Sequence, residues 1–194
     1  MSKNIPYGKH NMDFDDFKVV IDVLKNDPIT QGQHVENFGQ ALADYAGADY
    51  GVVVSSGTAA LHISVAALGI GPGDEVITTP MTFCATSNAV LYQGAEVKFV
   101  DINEKTLNID TSLIEENITE KTKAIIPVDF RGHPAKLPEI RKIADKYNLK
   151  IIEDGSHSIG STYIHGEKKY FCGDGVHSDI CTYSFHPVKH ITTG

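Results

Sequence analysis

Lys189 sits in the run YSFHPVKHI (183–191), an amine among aromatic and apolar residues. Such surroundings depress an ammonium's pKa and favour the neutral, nucleophilic amine, although a lysine that snorkels to the surface has the same local sequence. Asp154 closes the run KIIED (150–154) and is followed by Gly155-Ser156-His157-Ser158. A carboxylate leaving a buried stretch needs a partner to offset its desolvation, either a ligand cation or the N–H groups of a turn. Ser56-Gly57-Thr58 joins an apolar run to a helical one. That junction offers free N–H groups and a positive dipole end to an anion, and it equally reads as an ordinary serine cap. Phe83, in PMTFCATSN (80–88), either stacks on a flat ring or fills the core, while His157 either addresses a ligand or satisfies local backbone.

Short β-branched runs supply the elements that must position these groups: 50–55, 75–79, 96–100, 124–128, 150–154 and 180–185 read as strands. Between most of them lie helical patterns. Leu61, Val65 and Leu68 recur at i, i+4, i+7, and Leu137, Ile140, Ile143, Ala144 and Tyr147 do likewise. The alternation predicts an α/β fold with a mostly parallel sheet, and the near-continuous apolar strands predict helices on both faces. Residues 1–40 read as an N-terminal arm with a helix around Phe14 to Leu24, broken at Asn26-Asp27-Pro28; residues 41–194 read as the α/β domain. In open sheets of this kind ligands sit beyond the carboxyl ends of the strands, which is where the chemically suggestive residues fall.

Composition narrows the function classes. A chain of 194 residues, 41% hydrophobic, fits one globular domain with a sizeable core. Its formal charge of −8, from 25 acids against 17 basic residues, predicts no nucleic-acid partner. No run is apolar and long enough to predict a membrane span or a signal peptide, and a cytoplasmic location is expected. Three cysteines form no disulfide framework, and Cys172, His177 and Cys181 lack the paired spacing of a zinc site, so no metal is expected.

An anion-binding helix start, a flat aromatic, an acid and a desolvated amine at one sheet edge match the needs of pyridoxal 5'-phosphate. Its phosphate wants N–H donors, its ring a flat partner, its pyridinium nitrogen a carboxylate and its aldehyde a lysine. The stretches SSGTAALH, GPGDEVITTPMTFCATSNAV, TKAIIPVDFRG, IIEDGSHSIGS and SFHPVKHITTG, with IPYG, ITQG, FVDI and LNID, together resemble the DegT/DnrJ/StrS family of pyridoxal-phosphate sugar aminotransferases. The wording ITQG, PVDFRG and DGSHSIG is similar to members that aminate the 4-keto group of UDP-linked 4-keto-6-deoxy-N-acetylhexosamines.

The resemblance implies the large cofactor domain of a fold-type I transferase. It implies Lys189 as the residue that bonds the cofactor aldehyde, Asp154 on the ring nitrogen, Gly57, Thr58 and Ser184 on the phosphate, Phe83 on the ring face and His157 at the phenolic oxygen. Tyr7 and Thr30 match positions that reach the sugar nucleotide in relatives. A nucleotide-linked keto sugar and L-glutamate are the implied substrates, in amino-sugar and surface-glycan biosynthesis, and a homodimer the implied assembly. Relatives continue past Thr192-Thr193-Gly194 through a glutamate-glycine-glycine stretch, so the small C-terminal domain is expected to be absent. A noncatalytic cofactor-binding or interaction module is the alternative expectation.

Overall fold

The computed structural model describes residues 10–193. Helix α1 (Phe14–Asn26) starts in a capping box, with Asp13 accepting from the Asp15 and Asp16 amides and Asp16 reaching back to the Asp13 amide. It stops at Asp27, ahead of Pro28, where the sequence places the break. None of its residues is buried, and Phe14, Phe17, Val20 and Leu24 are exposed. Helix α2 (Gln33–Ala46) runs across residue 40 and buries Gly39, Ala43 and Ala46. Helices α3 (Gly57–Ala67), α4 (Ala85–Tyr92) and α5 (Leu137–Tyr147) follow, the first and last matching the apolar periodicities.

Five parallel strands form the central sheet: β1 (Glu75–Thr78), β2 (Glu96–Phe99), β3 (Thr122–Ile126), β4 (Lys150–Asp154) and β7 (Ile180–Thr182), in the order β2-β1-β3-β4-β7. An antiparallel hairpin of β5 (Thr162–His165) and β6 (Lys168–Phe171) stands apart from it. The strand period of two divides the apolar residues between two cores. Ile77, Ile125 and Ile151 pack with Leu137, Ile140 and Ala144 of α5 on one face, while Val76, Ala124, Ile126 and Ile152 pack with Leu61, Val65, Ala89 and Val90 of α3 and α4 on the other. Both faces are covered, as the unbroken apolar strands predict.

Two strand expectations need correction. Residues 50–55 form no strand: Tyr50 is 89% and Val52 76% exposed, and no backbone ladder reaches this segment among the described residues. Apolar β-branched composition gives a segment the tendency to extend, but a strand also needs a neighbour to take its N–H and C=O groups. The segment is held instead by α2. Gly39 and Gly51 meet backbone to backbone, and a Cβ on Gly39 would lie 2.7 Å from the Gly51 carbonyl oxygen. The last run, 180–185, pairs only through Thr182, and Tyr183–Phe185 continues as irregular chain. Among the described residues no helix is long and apolar enough to cross a membrane.

Candidate active site

Chain order reverses between β1 and β3: β1 steps outward to β2, and the chain then returns to build β3, β4 and β7 on the other side. A crevice forms at such a switch point beyond the strand ends. Here an open cleft of about 1490 Å³ lies there, and its lining includes Gly57, Thr58, Phe83, Asp154, His157, Ser184 and Lys189. These seven positions come from four separate stretches of chain. Thr30 lies exposed in the α1–α2 connection and does not line the cleft; Tyr7 lies outside the described residues.

Each side chain arrives for a local reason. Ser56 caps α3 by accepting the Ala59 N–H at 3.1 Å, which leaves the Gly57 and Thr58 amides at the helix start without a backbone acceptor. Ser184 lies against that start: a Cβ on Gly57 would sit 3.0 Å from the Ser184 Cβ and 3.2 Å from its Oγ. A Cβ there would push Ser184 away from the helix start, and with glycine in place the two amides and the hydroxyl form one cup suited to an anion. Phe83 follows β1 and is 72% exposed, so it stacks no core; its ring is free to cover a planar group.

Asp154 ends β4 with its carboxylate turned to the α3–α4 side of the sheet. Thr86 Oγ1 donates to Oδ2 at 2.7 Å and the Ser156 N–H to Oδ1 at 3.2 Å. Thr86 is itself bonded to Thr82, Oγ1 to Oγ1, at 2.7 Å. His157 rides on the turn after β4 with its Nδ1 buried and without a partner, beside the Phe130 ring at 6.3 Å. Burial lowers its pKa, the positive charge of Lys189 lowers it further, and the Asp154 carboxylate opposes both. Lys189 stands in a turn closed by its N–H to the His186 carbonyl at 2.8 Å. Burial lowers its pKa against the raising influence of Asp154, so the net shift is downward and the neutral fraction of the amine rises.

A pyridoxal-phosphate-like group fits these residues on three counts: a cup that a Cβ would fill, an orphaned buried imidazole nitrogen, and an amine and a carboxylate that feel one another across one cleft. Sequence reasoning missed Thr86. The sole signal was its place one helical turn after Phe83 in an unusually polar helix start. It also missed the buried carboxylates Asp129 and Glu153 on the opposite side of the sheet, although a second acid directly before Asp154 was visible in KIIED.

A parallel sheet flanked by helices, with this crevice at its switch point, is the architecture of the cofactor domain of pyridoxal-phosphate-dependent sugar aminotransferases. Residues 10–194 match the DegT/DnrJ/EryC1/StrS aminotransferase family, and the chain belongs to it. It is 46% identical over 175 residues to an uncharacterized protein of Methanocaldococcus jannaschii, across 90% of this chain and 44% of that one. To a UDP-4-amino-4,6-dideoxy-N-acetyl-beta-L-altrosamine transaminase of Campylobacter jejuni it is 41% identical over 192 residues, across 97% of this chain and 49% of the relative. A putative sugar aminotransferase of Streptococcus pneumoniae in its PLP form superposes with a TM-score of 0.88 at 32% identity, covering 98% of this chain and 51% of that one. The chain spans about half the length of the relatives it matches.

Proposed function

We propose that the protein is a pyridoxal-phosphate-dependent aminotransferase that moves an amino group from L-glutamate to a nucleotide-linked keto sugar, most specifically a UDP-linked 4-keto-6-deoxy-N-acetylhexosamine. The observation that carries this reading is the convergence of Lys189, Asp154 and the Gly57–Ser184 cup on one cleft. The name of the Campylobacter jejuni relative supports the substrate class.

When bound, pyridoxal phosphate supplies an aldehyde that takes up the amino group and a ring that accepts electron density from the carbon losing its proton. The chain's own residues do the rest. Gly57 and Thr58 N–H groups and the Ser184 hydroxyl bind the phosphate. Phe83 covers the ring face and excludes water from it. Asp154, oriented by Thr86 and Ser156, accepts a charge-assisted bond from the protonated ring nitrogen. His157, on the cleft lining, would address the ring hydroxyl. Lys189 Nζ, neutral in larger fraction because burial lowers its pKa, removes a proton at the reacting carbon of the donor and returns one to the acceptor. Tyr7 and Thr30 belong to this reading as sugar-nucleotide contacts, and a homodimer as its assembly.

The test mixes the protein with pyridoxal phosphate, follows the yellow chromophore, reduces with borohydride and maps the modified peptide. A covalent adduct on Lys189 that Lys189→Ala abolishes is expected; an adduct elsewhere, or none, overturns the site. Turnover is then followed as 2-oxoglutarate released from glutamate in the presence of the UDP-4-keto sugar. An adduct on Lys189 with no turnover identifies a cofactor-binding module instead.

A further inference from the structure

Strand β4 carries Asp154 into the cleft and sends its neighbour Glu153 the other way, where the proposed reaction makes no use of it. Glu153 and Asp129 are both fully buried, and a carboxylate oxygen of each lies within 4.8 Å of the other and of the Cys172 Sγ. Donors account for three of the four carboxylate oxygens. Asp129 Oδ1 accepts the Ala135 N–H at 2.8 Å and Oδ2 the Ser158 hydroxyl at 2.6 Å. Glu153 Oε2 accepts the Ser178 hydroxyl at 2.7 Å and the Gly173 N–H at 3.1 Å. Glu153 Oε1 is buried and has no donor at all. No Lys or Arg pairs with either acid among the described residues.

The surrounding titratable groups add no positive charge of their own. From the β6–β7 connection, β7 and the residue after it, burial pushes the Cys172, Cys181 and Tyr183 pKa values upward, so these stay neutral, and Tyr163 of β5 behaves alike. From the turn after β4, His157 feels the Asp129 charge weakly, and burial lowers its pKa toward the neutral ring. Two carboxylates so placed resist joint ionisation, because burial and mutual repulsion both disfavour the second charge. Burial raises both, and the Asp129 charge raises Glu153 further.

We propose that Asp129 and Glu153 share one proton, carried on Glu153 Oε1 and donated to the Asp129 carboxylate, and that this bond positions the cleft from behind. Asp129 is the joint. Its N–H donates to the Asp154 carbonyl at 3.1 Å, while its side chain holds both the 129–135 loop through Ala135 and the His157 turn through Ser158. Bonding Glu153 to it ties the ends of β3 and β4 on the face opposite the cleft, so that Asp154 and His157 keep a fixed separation. Glu153 is therefore a positioning residue, and its proton stays in place while chemistry proceeds on the other side. The positioning role rests on the proposed function; the shared proton does not.

The test compares the full protein with Glu153→Gln, whose amide can still donate to Asp129, and Glu153→Leu, which cannot. Infrared spectra at neutral pH should show the C=O stretch of one protonated carboxyl per chain, absent from Glu153→Gln. The linkage has a definite sign. A carboxyl whose pKa is raised on folding gives stability that is complete below its unfolded pKa, about 4.3 for glutamate, and lost as pH rises through the folded value. The melting temperature of the parent should therefore fall with rising pH above the ordinary carboxylate range, and Glu153→Gln should lack that one-proton slope. With pyridoxal phosphate bound, Glu153→Gln should keep the parent chromophore and its pH titration, whereas Glu153→Leu should shift them. Absence of the infrared band, an unchanged slope in Glu153→Gln, or one equivalent of divalent metal whose removal by chelator lowers the melting temperature would overturn the shared proton. A chromophore that never forms in the parent counts against the proposed function and leaves the infrared result standing.

Discussion

Asp154 and Glu153 are adjacent on one strand and meet opposite fates. The strand period sends Asp154 toward α4, where Thr86 and Ser156 donate to it beside an open cleft, and Glu153 into a closed pocket whose nearest charge is another carboxyl. Both are acids at the end of the same apolar run, and both are buried. What separates them is the supply of donors. Asp154 has a donor on each oxygen and an open cleft beside it, the setting of an acceptor in the proposed reaction; Glu153 has an oxygen with no donor and another carboxyl beside it, the setting of the proposed shared proton. A carboxyl's role in this fold is thus set by which face of the sheet it takes.

That contrast can be broken experimentally, most sharply at Asp154. Asp154→Asn keeps the shape and removes the charge, and turnover with glutamate and keto sugar is expected to fall by about 100-fold or more; unchanged steady-state rates would refute the anionic role. At Glu153 the effect moves from activity to stability. Glu153→Ala leaves Asp129 a buried acid without its donor and is expected to cost about 3–5 kcal/mol in denaturant unfolding, whereas Glu153→Gln should cost less than about 1.5 kcal/mol. Thr86→Val removes one hydroxyl from Asp154; a loss of about 1 kcal/mol in orientation should appear as roughly a 5- to 10-fold drop in turnover with little change in melting temperature. The subtlest difference lies in Lys189. Because the Asp154 charge holds the Lys189 pKa up against burial, Asp154→Asn should make the amine titrate at lower pH still, measured by pH-dependent acylation of Lys189, while Glu153→Gln should leave that titration where it is.

The sequence displayed some of this and concealed the rest for physical reasons. Ile151 and Ile152 fall in separate cores because a strand alternates, and α3 and α5 follow their apolar stripes; both patterns are local and therefore readable. That Lys189, Asp154 and Gly57 would gather at one edge was readable for a related reason, since each interrupts a local pattern: an amine among apolar residues, an acid closing a buried run, a glycine opening a helix. Residues 50–55 show the opposite case. Their composition was that of a strand, but pairing is a relation with another segment, which no short window contains. Thr86 and the Asp129–Glu153 pair were hidden likewise: the partners stand 68 and 24 positions apart, and only the folded sheet brings them together.

The Thr82–Thr86–Asp154 chain has a direction. Thr86 has one hydroxyl hydrogen, and the carboxylate at 2.7 Å claims it, so Thr82 must spend its own hydrogen on Thr86. Thr82 lines the cleft, and what it offers to the space in front of it is then only lone pairs. A group settling against that wall is welcome as a hydrogen giver and turned away as a taker, a polarity imposed two atoms back by an acid it never touches.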